Sequence, residues 1–169
     1  MILELITLME EHKNNDNDLE LPMAFAGPAQ LLLYTRYGDP REAGFEQKWL
    51  NFWEIREQFP WFPKATICVH KHFRPLLEAA LKELLVMNLH TEISTVDEDF
   101  HIRTIHGSTG VMSVHSWGAA LDMNAAQNPL GASGVWSNAF LSVMRKHHIY
   151  CGQDWEGLKD PMHFALVNG

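Results

Sequence analysis

The sequence predicts an α+β fold in which a small antiparallel sheet is flanked by helices. Three observations carry this. Residues 74–87 repeat apolar side chains every three or four positions, the spacing of one helix face. Residues 65–72 hold the β-branched Thr66, Ile67 and Val69, which favour an extended chain. Residues 163–167 form a short apolar run near the end of the chain, the length of a strand.

The bulk properties narrow the class. A chain of 169 residues is expected to make one domain with a sizeable core. Apolar residues at 46% and charged residues at 20% read as a soluble globular protein. A formal net charge of −8 argues against a nucleic-acid binder and gives no basic patch for an anionic cell wall. Glu4, Glu10 and Glu11 interrupt the apolar start, and no basic stretch precedes it, so no signal peptide is expected. No apolar run approaches the ~20 residues of a membrane span. Cys68 and Cys151 are far apart and are expected to be free thiols. Zinc–thiolate sites draw on clustered cysteines, so Cys151 is not expected to bind metal.

The elements follow in order. Ile2, Leu5, Ile6 and Met9 are spaced as a helix over residues 1–13, read as a cap on the core because its polar face lacks the cations of a membrane-surface helix. Residues 14–18 are a polar loop without the glycine and terminal glutamate of a calcium-binding loop. Residues 28–37 read as a helix closed by Gly38-Asp39-Pro40. Phe45, Trp49, Phe52, Trp53 and Arg56 fall at spacings of three and four, so a helix is expected over 45–59, its aromatic stripe in the core. Pro60 and Pro63 then impose an extended connection.

His70 and His72 share one face of the expected strand 65–72, a possible metal pair by spacing. In the helix 74–87, Pro75 suits the first turn, Leu76, Leu77, Ala80, Leu81, Leu84 and Leu85 form the buried stripe, and Asn88 stops it. Residues 90–105 are expected as one or two short strands, and 106–110 as a turn. Residues 124–134 are loop-like, and 136–148 read as a helix with Phe140, Leu141 and Met144 inward. His147 and His148 suit its C-terminal dipole.

The chemistry concentrates in two stretches. Ser113-Val114-His115-Ser116-Trp117-Gly118-Ala119-Ala120-Leu121-Asp122 holds a histidine and an aspartate seven positions apart. Asp160-Pro161-Met162-His163 adds another carboxylate and another histidine. A hydrolytic zinc ion needs three protein ligands and an open position for water, with a carboxylate nearby to move protons. His115, Asp122 and His163 are the expected ligands and Asp160 the expected base. Seven is an odd offset, so on one continuous strand His115 and Asp122 would face opposite sides. A break is needed between them, and Gly118 is the natural place. Pro161 disfavours helical geometry at Asp160, so a tight turn is expected there, leading into the final strand 163–167.

These residues resemble a known family. Ser-x-His-x-x-Gly-x-Ala-x-Asp is the first signature of the D-alanyl-D-alanine carboxypeptidase family of zinc peptidases, and Ser113, His115, Gly118, Ala120 and Asp122 match it. The second signature, an acidic residue, two spacers and a histidine, is matched by Asp160 and His163. The resemblance covers roughly residues 65–169. The family includes vancomycin-resistance dipeptidases and carboxypeptidases and phage endolysins that cut the L-alanyl-D-glutamate bond. It belongs with the lysostaphin and hedgehog zinc domains.

The resemblance implies a hedgehog-like zinc domain and hydrolysis of a bond in the peptidoglycan stem peptide, with one zinc ion bound. Asp160, where many members carry Glu, favours the endolysin-like branch. Many members carry an upstream Arg followed by Gln; here Arg103 is the only arginine between Arg74 and Ser113, and no Gln follows it before Ser113. Arg103 would face the developing oxyanion, where a cation is needed. Ser113, Asp154 and Trp155 would contact substrate. The chain is therefore expected to be a monomeric peptidase domain over 1–169. Residues 1–62 would be a helical N-terminal extension packed on the catalytic part, 63–169. An L-alanyl-D-glutamate endolysin, cytoplasmic until release to the wall and of phage or prophage origin, is the first expectation. A D-alanyl-D-alanine carboxypeptidase or dipeptidase competes with it, as does a non-catalytic zinc-bearing wall-binding module.

Overall fold

Residues 23–108 and 110–169 are described by the computed structural model. The helix expected over 1–13 and the loop over 14–18 lie outside the described residues. Four strands form the central sheet in the order β3–β4–β6–β5, all antiparallel: β3 (Val96–Glu98), β4 (Ala120–Met123), β6 (Asp160–Ala165) and β5 (Tyr150–Gly152). Two further strands, β1 (Leu50–Trp53) and β2 (Ile67–His70), pair antiparallel in a separate sheet. The helices are α1 (Pro28–Tyr37), α2 (Phe45–Trp49), α3 (Ile55–Gln58), α4 (Arg74–Val86) and α5 (Asn138–Lys146). No helix among the described residues is long and apolar enough to cross a membrane.

Alternation along β4 and β6 gives the central sheet two different faces. Leu121 and Met123 of β4 and Phe164 of β6 join Leu77, Ala80, Leu81 and Leu84 of α4 and Phe140, Leu141 and Met144 of α5 in one core. Ala120 and Ala165 point the other way, into a second core with Phe25, Ala29, Leu33, Phe45 and Leu50. Asp122 and His163 are on that second face as well, directly opposite each other in the β4–β6 register. Each large side chain fully buried in these cores contributes roughly 1.5–3 kcal/mol.

The helices near the sheet form for the reasons the spacing gave. Pro75 sits in the first turn of α4, and Asn88 takes a left-handed conformation (φ 57°) just past its end. The buried stripe is narrower than expected, because Leu85 is exposed and Leu76 only partly buried. Helix α5 is capped by Ser137, whose hydroxyl accepts from the Phe140 N–H at 3.1 Å. Left-handed His148 (φ 58°) ends it, and His147 bonds Glu83 at 2.8 Å.

Two expectations need correction. Residues 45–59 are not one helix but α2, β1 and α3. The run Leu50-Asn51-Phe52-Trp53 carries as much strand character as helical spacing, and pairing with β2, from Leu50↔His70 to Trp53↔Ile67, decides it. The N-terminal segment is therefore not purely helical. Residues 90–105 hold one short strand, β3, as expected, after a 3-10 turn (His90–Glu92) and before an irregular approach to Arg103. The last strand begins at Asp160 rather than at 163. Gly152 pairs with Asp160 across a register shift, and a Cβ on Gly152 would lie 2.3 Å from the Asp160 carbonyl oxygen, so glycine permits the close approach.

The expected break at Gly118 is present. Val114–Trp117 is a 3-10 turn closed by Gly118 in the left-handed region (φ 63°), after which β4 begins. A Cβ at Gly118 would lie 2.7 Å from Leu50 Cδ2 and 2.9 Å from the His70 backbone nitrogen. Gly118→Ala is expected to lower stability by about 2–4 kcal/mol through strain and overlap, read from urea unfolding.

His70 and His72 belong to no group of three or more potential metal ligands among the described residues. His70 is fully buried, its ring stacked on Trp49 and against Tyr37, and Tyr37 Oη bonds His72 Nδ1 at 3.0 Å. Burial pushes the His70 imidazole down to about 4, and the neighbouring His72 adds to this. The unfolded chain therefore takes up a proton that the folded one refuses between about pH 6.5 and pH 4, so stability falls on acidification through that window. Between pH 7 and pH 5 the wild type should lose about 2 kcal/mol more than His70→Phe, measured by urea unfolding at both pH values.

Candidate metal centre and catalytic site

The site assembles where the Gly118 turn folds the first signature back on itself. The Ser113 hydroxyl accepts from the His115 N–H at 3.3 Å and so caps the 3-10 turn that carries His115. His115 Nδ1 lies 2.7 Å from the Asp99 carbonyl oxygen. A carbonyl only accepts, so Nδ1 carries the proton and Nε2 is left with its lone pair for a metal. The Asp99 carboxylate is itself held by the Cys68 N–H at 3.0 Å and Lys64 at 3.2 Å. The chain before the turn is stitched to it too: the Ser113 N–H donates to the Arg103 carbonyl at 2.9 Å, and the Arg103 N–H to Ser116 Oγ at 3.0 Å.

The geometry then converges. Asp122 Oδ1 lies 3.1 Å from His115 Nε2 and 3.0 Å from His163 Nδ1. One ligand atom from each of the three residues falls within 4.8 Å of the others, the only such group of three or more His, Cys, Asp or Glu among the described residues. Four-coordinate zinc with bonds of about 2.0–2.1 Å spaces its ligand atoms about 3.4 Å apart, so this donor set fits a tetrahedral ion. All three side chains are buried.

The electrostatics sort the acids. Burial opposes ionisation of Asp122, but the two imidazoles, which donate to it when protonated with no ion between them, outweigh burial and hold the carboxyl well below its usual range. Burial likewise opposes charging of His115, yet the Asp122 carboxylate raises its pKa. Asp160 differs: burial raises its pKa, with the Asp122 charge adding to this, while His163, His115 and Arg103 pull the other way. Its Oδ1 is buried without a hydrogen-bond partner. An unengaged carboxylate of raised basicity suits a proton acceptor.

The other expected site residues fall at varying distance from this centre. Arg103 does not stand free but is paired with Glu98, Nε to Oε1 at 2.8 Å and Nη2 to Oε2. Asp154 is half exposed and turned to Arg145, with bonds of 2.6 and 2.8 Å. The Trp155 ring lies 5.7 Å from the His163 ring and lines a cavity of about 790 Å³ with Tyr150, Asp154 and Leu158. Cys151 is buried, its thiol pushed up to about 12 by burial, and stands outside the donor cluster.

Sequence reasoning missed Glu98. It pairs with Asp122 in the β3–β4 register, and its Oε2 lies 3.8 Å from His115 Nε2. Burial raises its pKa, but bonds from Arg103 and His101 prevail and bring it to about 2. Glu98 is the middle of three consecutive acids, Asp97-Glu98-Asp99, which read as a solvated face until strand pairing singles one out.

Residues 106–166 match the family model described as D-alanyl-D-alanine carboxypeptidase, a narrower span than the resemblance over 65–169. No curated protein and no solved structure matches the chain. The matched segment holds both signatures and all three members of the buried donor cluster. Over this segment, about a third of the chain, the protein is similar to the D-alanyl-D-alanine carboxypeptidase family, whose members are zinc-dependent peptidases.

Proposed function

We propose that the chain is an L-alanyl-D-glutamate endopeptidase, cutting within the peptidoglycan stem peptide in the manner of a phage endolysin released from the cytoplasm. The observation that carries the hydrolytic part is the convergence of His115 Nε2, Asp122 Oδ1 and His163 Nδ1 beside the unengaged Asp160. Zinc held by these three would supply a water acidic enough to ionise near neutral pH and a positive charge for the scissile carbonyl. Asp160 accepts the proton from the attacking water and delivers it to the leaving amine. Arg103 faces the carbonyl oxygen as negative charge develops there. Trp155 forms an apolar wall beside His163 for the peptide, and Ser113 holds the turn that aims His115.

Charge pairing supports an internal bond over a terminal one. A carboxypeptidase needs a free cation for the substrate's terminal carboxylate. Among the described residues near the centre, Arg103 is paired with Glu98, Lys64 with Asp99 and Arg145 with Asp154. The Lys159 ammonium is taken by the carbonyls of Gln153 (2.7 Å) and Trp155 (3.0 Å). Residues 23–62 belong to the same folded unit in this reading, since they share a core with the first signature.

Two measurements test the reading. Purified muropeptides incubated with the zinc-loaded protein should show new L-Ala and D-Glu termini by mass spectrometry. Asp160→Asn should reduce kcat by about 100-fold or more with zinc retained. Release of D-Ala alone would instead make it a carboxypeptidase, and zinc binding without products would make it a wall-binding module. For the metal, His115→Ala and Asp122→Ala should each weaken zinc binding by more than about 100-fold in chelator competition, since loss of even an outer partner costs about 10- to 100-fold. Full zinc content in both variants by elemental analysis would refute the ligand set.

A further inference from the structure

Glu98 occupies a place that the metal centre and Asp160 do not explain. Strand β3 sets it opposite Asp122, and β4 sets Asp122 opposite His163, so three acid–base side chains line up across three strands. Both Glu98 oxygens are committed to the Arg103 guanidinium, Oε1 to Nε at 2.8 Å and Oε2 to Nη2. His101 Nδ1 adds a further contact to Oε1 at 2.9 Å. A planar carboxylate facing a planar guanidinium through two parallel bonds fixes direction as well as distance. The fork matters because the Arg103 backbone is already anchored, through Ser113 and Ser116, while its side chain is long and rich in rotamers. The described contact of its remaining nitrogen, Nη1, is the Thr104 carbonyl at 3.2 Å.

We propose that Glu98 is a positioning residue, whose carboxylate grips Arg103 in a two-bond fork and fixes that cation beside the His115–Asp122–His163 cluster. This rests on the reading of Arg103 as the group that faces the oxyanion. The same fork neutralises the arginine in the ground state. It therefore disfavours a substrate's free carboxylate, while the N–H edge left over can still meet a charge that appears only in the transition state.

The test is a double-mutant cycle with purified muropeptides, joined to a readout that needs no turnover. Glu98→Gln should lower kcat about 10- to 100-fold with KM little changed and zinc content full, and Glu98→Asp should recover part of the loss. In an Arg103→Ala background Glu98→Gln should cost nothing further, because a residue acting through another is not additive with it. An equal loss in both backgrounds, an unchanged kcat, or loss of zinc from Glu98→Gln would overturn the proposal, the last by making Glu98 a support of the metal instead. Independently, the Arg103 Nε–H resonance in 15N NMR, identified by its absence from Arg103→Lys, should be protected from exchange in the wild type and lose protection in Glu98→Gln. A wild type that yields no products sinks the endopeptidase reading alone. Protection that persists in Glu98→Gln sinks the grip.

Discussion

The pairing of Asp122 with His163 across two antiparallel strands is the constraint on which the rest of this structure depends. Residues far apart in sequence become immediate neighbours because β4 and β6 are in that register and no other. A slip of one residue would send both side chains into the apolar core against α4 and α5, so the register is enforced by the same alternation that buries Leu121 and Phe164. Packing thus guards the chemistry: the helices on one face decide what the other face presents.

His115 reaches the same point by a different route. It comes from a tight turn, reversed at Gly118 and steadied from outside by the Asp99 carbonyl. The Asp99 carboxylate ties that carbonyl's residue to the β2 backbone, so the small second sheet takes part in aiming the His115 ring. Two imidazole nitrogens crowd the Asp122 oxygen while Asp160 Oδ1 has no partner, and the proposed function turns on this contrast, one carboxylate to hold an ion and the other to move a proton.

The motif residues were legible from sequence because their chemistry and spacing are narrow. The odd offset between His115 and Asp122 demanded a break, and Gly118 supplies one. Helices α1, α4 and α5 were legible from caps and periodicity. What escaped was decided by partners distant in sequence. Leu50–Trp53 became a strand because β2 was available to pair with it. Asp160 joined β6 because Gly152 admits a close backbone neighbour. Glu98 was one acid among several until the sheet set it against Asp122, and the partner of Arg103 had no local signal at all.

Trp117 ties the first signature to sequence far upstream of it. Its indole is fully buried and its Nε1 donates to the Gly38 carbonyl at 2.9 Å. Phe25, Ala29 and Leu33 cover the same side of the signature. The stretch that bears the peptidase hallmark is therefore not a cassette that recombination could lift out and splice elsewhere. It borrows half of its hydrophobic interior from upstream sequence with no catalytic mark, and that upstream segment can diverge only as far as it continues to fill the space.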